Sequence, residues 1–267
     1  GYADANWKDK LTSFDGKAIT YDTIGNPLSY DGWTYTWEEG RQLKTLAKTG
    51  TSLSFKYNSS GLRTEKTVNG VPTKYTYLGG KVAFETNGAE TFHYTYDGNG
   101  APFSMTYNGS EYFYLTNLQG DVTGLIDSTG ITMVSYTYDA WGKLIKTNGD
   151  MATTLGVKNP YRYRSYRYDN ETGLYYLKSR YYDPQIGRFI NADDSGMLNA
   201  SMNILGTNLF SYSLNNPINY YDDDGYNPIV IAPLIKALLA GFAIMAGYLS
   251  YKLLNDPAVQ RALGDLI

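Results

Sequence analysis

The 267-residue chain contains no cysteine and a single histidine, His93. The lack of cysteine excludes disulfides and thiolate metal sites, and one histidine is too few for a multi-histidine metal centre. A Ser-His-Asp triad would have to use His93, which stands in the alternating pattern TFHYTYDG. That pattern is typical of a strand, so we expect an ordinary strand residue. We therefore expect no metal ion and no cofactor.

Charge is also scarce, since Asp, Glu, Lys and Arg make up 18% of the chain, against about 25% in an average globular protein. The formal net charge of −3 argues against a nucleic-acid partner, because surfaces that bind nucleic acid are strongly basic. The chain opens with GYADANWKD, which has no feature of a signal peptide and is typical of a piece cut from a longer chain.

Tyrosine and glycine are abundant instead, with 28 residues of each. Tyrosine favours strands because its ring packs on a pleated surface while its hydroxyl group reaches a polar partner. Glycine in equal number indicates many tight turns. This composition predicts an all-β chain built from short strands.

A degenerate repeat of about twenty residues runs through the first half of the chain. Each copy has an aromatic-x-aromatic stretch, a polar turn that holds glycine, and a returning strand. Both rings face one side of a strand, and a single hairpin could not bury them. The repeat therefore predicts hairpins joined edge to edge in one curved sheet, a β-spiral, with packed rings; rings that line a groove and bind sugars are the alternative. The second aromatic residue falls at Trp37, Tyr57, Tyr77, Tyr96, Tyr114 and Tyr138.

These repeats resemble the tyrosine-aspartate (YD) repeats of Rhs proteins over residues 20–145. The YD pair stands at Tyr21-Asp22, Tyr96-Asp97 and Tyr138-Asp139. Residues 161–226 resemble the Rhs repeat-associated core domain. The most specific matches are TGLYY at 172–176, RYYDP at 180–184, GRF at 187–189, NLF at 208–210 and NP at 216–217.

In that family the repeats wind into a hollow β-shell, the core domain closes one end, and a variable C-terminal toxin or effector is held inside. The resemblance implies three regions here: a YD-repeat β-shell over 1–160, a core domain over 161–226 and a helical C-terminal segment over 227–267. The partner it implies is the chain's own C-terminal segment.

The resemblance also implies a setting, because bacterial members act in competition between cells or as components of insecticidal toxins, and teneurins are distant animal relatives. We accordingly expect a secreted or cell-surface protein. A cell-surface protein that binds glycans through exposed tyrosine stripes, and cuts nothing, is the alternative function.

The acidic run NNPINYYDDDGYNP, residues 215–228, supplies a candidate site through the same resemblance. In the family two Asp-Pro-x-Gly motifs contribute an aspartyl-protease-like pair that cuts the chain after a large residue and frees the effector. The matching aspartates here are Asp193 and Asp222, and the cut would fall between Tyr226 and Asn227. Two close carboxylates share a proton, so that one acts as a base on water and the other as an acid on the peptide.

Both motifs depart from the family pattern, since Asp194 and Asp223 stand where proline is expected. Each substitution places a negative charge beside the candidate group, which predicts a raised pKa for the pair, and removes a fixed φ angle. An exposed acidic turn in a core domain that does not cut is the competing interpretation. No motif of a multiple-turnover enzyme is present. The candidate charge partners are Arg162, Arg164, Arg167, Arg180 and Arg188.

The C-terminal segment loses the tyrosine-glycine pattern. The apolar pattern of residues 233–254 predicts a helix, with a length close to the ~20 residues that a bilayer requires. Three interpretations are open: a helix packed inside the shell, a membrane-inserting part of an effector, and a linker to a longer toxin. The segment 227–267 is shorter than the roughly 50 residues of a small domain, so no effector chemistry is predicted.

Overall fold

The computed structural model describes residues 1–194, 208–226 and 228–231. The chain divides into two compact units, Gly1–Ile229 and Val230–Ile267. The helix predicted over 233–254 lies outside the described residues, and so does Asn227. Within the described ranges no helix is long and apolar enough to cross a bilayer.

Fifteen antiparallel strands form one sheet in which each strand pairs with the next along the chain. The predicted all-β hairpin array is thereby confirmed. The strands are β1 (Ser13–Phe14), β2 (Lys17–Tyr21), β3 (Pro27–Tyr30), β4 (Trp33–Glu38), β5 (Gln42–Lys48), β6 (Thr51–Tyr57), β7 (Arg63–Val68), β8 (Val71–Leu78), β9 (Lys81–Thr86), β10 (Thr91–Tyr96), β11 (Pro102–Tyr107), β12 (Ser110–Thr116), β13 (Val122–Asp127), β14 (Thr132–Tyr138) and β15 (Leu144–Asn148).

The D-x-x-G motif builds the turn after an aromatic strand. Following β10, the Asp97 carboxylate accepts hydrogen bonds from the backbone N–H groups of Asn99 (2.9 Å) and Ala101 (2.8 Å). The Gly100 N–H donates to the Asp97 carbonyl (3.0 Å), and Gly100 has a φ of +83°, which glycine adopts without steric cost. The predicted turn is confirmed. The same carboxylate or amide bonds recur at Asp22, Asn58, Asn117, Asp127 and Asp139.

The second aromatic residue of a repeat bonds to backbone of the preceding hairpin. The Tyr77 hydroxyl donates to the Arg63 carbonyl (2.8 Å), and the Tyr96 hydroxyl donates to the Val82 carbonyl (2.7 Å). A ring buried with its hydroxyl satisfied gains apolar burial without losing a hydrogen bond. This explains why tyrosine, not phenylalanine, recurs here. The equivalent donors are Trp37 to Pro27, Tyr57 to Leu43 and Tyr138 to Val122.

One repeat is aligned differently from the prediction. The register shift of β12 falls between Leu115 and Thr116, and Asn117 opens the following turn. Thr116 therefore occupies the second aromatic position that the sequence pattern assigns to Tyr114. The Tyr114 ring lies in the core instead, with its hydroxyl 2.9 Å from Asn159 Oδ1.

The sheet packs its inner face around residues that follow it in the chain. Tyr35 and Phe55 of the sheet share a core with Tyr176 and Tyr181. The single histidine, His93, is an exposed residue of β10 and contacts Phe84. The later elements are a helix, Leu155–Lys158; a second sheet of β16 (Arg167–Asp169), β17 (Leu174–Leu177), β18 (Arg180–Asp183) and β19 (Arg188–Phe189); 3-10 turns at Tyr163–Ser165 and Ser213–Asn215; and two short strands, β20 (Tyr220–Tyr221) and β21 (Ile229–Val230).

A buried ion pair joins the two sheets. Arg63 of β7 donates two hydrogen bonds, of 2.6 and 3.0 Å, to the Asp169 carboxylate of β16. Burial opposes the charge on Asp169, but Arg63 and Lys66 together hold the pKa of Asp169 well below its usual range. The guanidinium of Arg63 lies 4.4 Å from the centre of the Tyr176 ring, so the pair is also packed among core aromatics.

Candidate functional site

The two candidate aspartates meet at Arg180 of β18. The Nη2 atom of Arg180 lies 3.0 Å from Asp193 Oδ2 and 3.6 Å from Asp222 Oδ2. The three residues are 4%, 6% and 1% exposed, respectively. The structure therefore brings both predicted aspartates together in a buried site, where they share one arginine.

Arg180 is held rigidly by its surroundings. Its guanidinium carbon lies 3.6 Å from the centre of the Phe189 ring. Its Nη1 atom donates to the Leu209 carbonyl (3.0 Å), which also accepts the backbone N–H of Asp193 (2.8 Å). Its Nε atom donates to the Gly225 carbonyl. Arg180 therefore links both aspartate-bearing segments to β18.

A tight turn presents Asp222 to Arg180. The Gly225 N–H donates to Asp222 Oδ1 (2.8 Å), and the Asp222 N–H donates to the Tyr166 hydroxyl (2.9 Å). Gly225 has a φ of +83°, and a Cβ atom there would lie 2.5 Å from Ser179 Oγ. Only glycine fits this close approach of the turn to the residues before Arg180.

The three consecutive aspartates are not equivalent. Asp222 is buried, whereas Asp223 and Asp224 are exposed. Asp223 makes a long ion pair of 3.6 Å with Lys178, and Asp224 Oδ1 accepts the Tyr226 N–H (3.0 Å). The interpretation as a solvated acidic turn therefore fits the second and third aspartates, and the first belongs to the buried cluster.

Burial dominates the electrostatics of the cluster. Burial raises the pKa of Asp222 to about 6 although Arg180 acts in the opposite direction, and burial likewise raises the pKa of Asp193 against the same arginine. Burial also lowers the pKa of Arg180. Both pKa values are raised, but the prediction assigned the rise to the charges at the two proline positions, whereas its main cause is burial. Of those two charges, Asp194 has a smaller effect on Asp193, and the neighbour that raises the pKa of Asp222 is Asp224.

The charge balance of the cluster favours one retained proton. Two carboxylates and one guanidinium leave a net charge of −1 in a buried site, and burying an uncompensated charge is costly. A single proton makes the cluster neutral. Because burial raises the pKa of Asp222 to about 6, Asp222 can hold a proton near that pH, as the acid of a peptide-cleaving pair must.

Of the five arginines predicted as charge partners, Arg180 is the one whose ion pairs include the candidate aspartates. The other four are described as well, and they bind elsewhere. Their contacts are Arg162 with the Gly156 carbonyl, Arg164 with Asp121, Arg167 with Glu85, and Arg188 with the Tyr2 hydroxyl and the Asp9 carbonyl.

Parts of both motifs lie outside the described residues. The upstream motif continues from Asp194 into undescribed residues, and the bond predicted to be cut joins Tyr226 to the undescribed Asn227. Tyr226 itself is 46% exposed. In the part of the chain that the structure describes, no cluster of three or more His, Cys, Asp or Glu residues could hold a metal ion.

Sequence reasoning missed a further buried carboxyl group with a raised pKa, Asp183. It ends β18, and burial raises its pKa to about 6. Its Oδ1 atom accepts the Gln185 N–H (2.8 Å), and no ion pair of Asp183 is found among the described residues. The available signal was its place in RYYDP, where an aspartate before proline suggests only a turn.

Comparison with known proteins connects this architecture to toxins. The family model described as Teneurin YD-shell matches residues 9–218. The tRNA3(Ser)-specific nuclease WapA of Bacillus spizizenii is 40% identical over 254 residues, which are 92% of this chain and 10% of that protein. The double-stranded DNA deaminase toxin A of Burkholderia cenocepacia is 29% identical over 209 residues, which are 77% of this chain and 12% of that protein. The chain thus spans about a tenth of the length of these relatives.

Solved structures show the same fold. The Tc holotoxin pore of Photorhabdus luminescens matches with a TM-score of 0.60 at 20% identity, covering 85% of this chain and 11% of that chain. A TcdB2–TccC3 complex matches with a TM-score of 0.56 at 20% identity, covering 83% of this chain and 11% of that one. At such identity the likeness is one of fold.

Proposed function

Because this chain belongs to the teneurin YD-shell family, we propose that its sheets enclose a C-terminal effector segment and that the chain releases this segment by cutting itself once. The proposed regions are a shell over 1–160, a core domain over 161–226 and a cargo segment over 227–267. Two relatives with different named activities, a tRNA nuclease and a DNA deaminase toxin, both match this chain over most of its length. A segment that proteins of different activity share suits a carrier role better than either activity.

The observation that carries the cleavage proposal is the joint pairing of Asp193 and Asp222 with Arg180. Asp193 lies closer to the guanidinium, which favours its ionised form. Asp222 is more deeply buried and has a pKa of about 6, which favours its protonated form. We therefore assign the base to Asp193 and the acid to Asp222.

The proposed step balances as a hydrolysis. Asp193 takes a proton from a water molecule, whose oxygen attacks the carbonyl carbon of Tyr226. Asp222 gives its proton to the leaving amide nitrogen of Asn227 as the C–N bond breaks. The products are a carboxyl group on Tyr226 and a free amine on Asn227, and Asp193 holds the proton that Asp222 has lost.

Arg180 acts as a positioning residue in this proposal. Its bond to the Gly225 carbonyl fixes the chain one residue before Tyr226, and its ion pairs fix the two carboxyl groups. Holding a peptide bond close to its acid and base removes much of the entropic cost of reaction.

Three substitutions test the assignment. Asp193→Asn and Asp222→Asn each remove one carboxyl group at nearly constant volume, and both variants are expected to remain uncut. The matched control is Asp223→Asn, which changes an exposed neighbour in the same turn and should be cut like the wild type. Gel electrophoresis and N-terminal sequencing of the small fragment, expected to begin at Asn227, provide the readout. A cut in either buried-site variant would contradict the acid–base pair.

The alternative function, glycan binding by exposed tyrosine stripes, has less support. The motif tyrosines Tyr77 and Tyr96 are only partly exposed, and their hydroxyl groups are bonded to backbone. Retention of the chain on a polysaccharide column, released by free sugar, would favour the alternative. Passage without retention is expected.

A further inference from the structure

A small cavity lies between the ends of two repeat hairpins and the residues of the second sheet. Its volume is about 110 Å³. The repeat side contributes the turn residues near Lys81 and Gly100, and the other side contributes Arg164, Arg167 and Lys178. Arg180, Asp193 and Asp222 do not line this cavity, although it adjoins their cluster through Tyr166, whose hydroxyl accepts the Asp222 N–H.

Cations outnumber carboxylates in the lining. The cations are Lys81, Arg164, Arg167 and Lys178, and the only carboxylate among the lining residues is Asp223. An excess of like charge around a partly enclosed space favours a bound anion, because the field is concentrated there and is screened less than on an open surface.

The two arginines are largely balanced by neighbours outside the lining. Arg167 is bonded to the buried Glu85. Arg164 donates to the carbonyls of Gln119 (2.8 Å) and Pro217 (2.5 Å), and its Nε atom forms a 3.7 Å ion pair with Asp121. Each arginine therefore has a carboxylate partner of its own, and the two lysines are the candidates for direct contact with an anion.

The two lysines are less satisfied. Lys178 reaches Asp223 only at 3.6 Å, with both side chains about half exposed or more. No ion pair of Lys81 is found within residues 1–194 and 208–226. Its ammonium group lies 5.2 Å from the centre of the Tyr96 ring. Lys81, an exposed residue, is thus the lining cation for which no carboxylate partner is found among the described residues.

Gly100 leaves open the space in which the Lys81 ammonium group lies. A Cβ atom at position 100 would be 2.7 Å from Lys81 Cε and 2.9 Å from Nζ. The lysine therefore lies across the glycine backbone, in space that the Cβ atom of any other residue would occupy.

We propose that this cavity binds a phosphate-sized oxyanion between Lys81 and Lys178. An oxyanion accepts charge-assisted hydrogen bonds from ammonium groups and would replace Asp223 as the partner of Lys178. A water molecule takes up about 30 Å³ of liquid, so the cavity holds a group of a few heavy atoms. It is below the roughly 300 Å³ of an ordinary ligand pocket, so at most the phosphate of a larger molecule would enter.

Calorimetric titration of the full chain with inorganic phosphate, at constant ionic strength and pH 7.5, tests the proposal. We expect saturable binding at one site, weakened at least tenfold in Lys81→Met and in Lys178→Met. Lys146→Met is the matched control, because it removes the same charge from an exposed position of β15 that does not line the cavity. No saturable binding, or equal weakening in all three variants, would overturn the proposal.

A second pair of variants keeps every charge and moves only the ammonium group. Gly100→Ala displaces Lys81, whereas Gly109→Ala has the same kind of positive φ with no atom within 4 Å. With folding checked by circular dichroism, phosphate binding should weaken in the first variant and not in the second; equal affinities would refute the placement of Lys81. If glycerol 3-phosphate competes more strongly than added phosphate, the source of the oxyanion is a phosphate monoester. If added phosphate competes more strongly, the source is free phosphate.

Discussion

Arg180 of β18 forms a 3.0 Å ion pair with Asp193. The same guanidinium nitrogen also lies 3.6 Å from Asp222, so two carboxyl groups that are distant in the sequence share one buried cation. In the proposed cleavage this pair would act as a coupled acid and base, whose behaviour depends on both groups together.

The rate of self-cleavage should fall as the pH rises. Burial raises the pKa of Asp222 to about 6, so the proton that it must donate is present below that pH and is lost above it. We expect the highest rate at or below about pH 6 and a decline of up to about tenfold per pH unit above it. Cell-free synthesis of the chain in buffers from pH 6 to 8.5, with cut and uncut chain quantified over time, measures this. A rate that rises with pH would contradict the role of Asp222 as the acid.

Replacing Asp183 by asparagine should stabilise the chain at high pH. Its folded-state pKa of about 6 is raised above the ordinary value of 3.8 by burial, so the stability it contributes is present below about pH 4 and is lost as the pH rises through 6. At pH 8 Asp183→Asn should gain roughly 2–3 kcal/mol in the free energy of unfolding, and at pH 4 little. Urea unfolding at both pH values measures the difference. The exposed Asp150→Asn is the control and should show no such pH dependence.

Tyr96→Phe should lower the free energy of unfolding. The Tyr96 hydroxyl donates to the Val82 carbonyl (2.7 Å) and pairs with the Tyr161 hydroxyl (2.6 Å), so its removal leaves partners unsatisfied. We expect a loss of about 1–3 kcal/mol. Tyr112→Phe is the matched control, because the Tyr112 hydroxyl has only a weak 3.6 Å contact with Met151 sulfur. Thermal unfolding of both variants tests this, and equal losses would contradict it.

Gly225→Ala should slow or abolish self-cleavage while the repeat sheet stays folded. A Cβ atom there would meet Ser179 Oγ at 2.5 Å and the Leu177 carbonyl at 2.8 Å, so the turn that carries Asp222 must move. Gly88→Ala has a positive φ as well but open space around it, and it should be cut at the wild-type rate. Wild-type cleavage in Gly225→Ala would show that the turn geometry does not matter for the reaction.

The repeat sheet could be predicted because its determinants are local. Each D-x-x-G turn closes through bonds made within five residues, as at Asp97, and the aromatic alternation follows from strand geometry. In one repeat Thr116 stands at the position of the second aromatic residue, and the sequence pattern assigns that position to Tyr114, two residues earlier. Tyr114 fits the pattern because its ring also faces inward. The β-bulge decides the register of this strand, and the sequence pattern does not mark where the bulge falls.

The candidate site could be predicted only in part. The resemblance selected Asp193 and Asp222, and the structure brings them together. The resemblance could not select Arg180 among the five arginines, because all five have aromatic neighbours in the sequence. The choice depends on which strand faces which loop. Nor could the resemblance separate Asp222 from its two neighbours, since their different burial arises from the turn closed by Gly225 against Ser179.

Self-cleavage after Tyr226 is tested by the intact mass of the purified 267-residue chain under denaturing conditions, measured beside that of Asp222→Asn. We expect two masses that correspond to a split after Tyr226 in the wild type, and one mass for the whole chain in the variant. A single intact chain in both samples would contradict self-cleavage and would leave the Arg180 cluster as a structural link between segments.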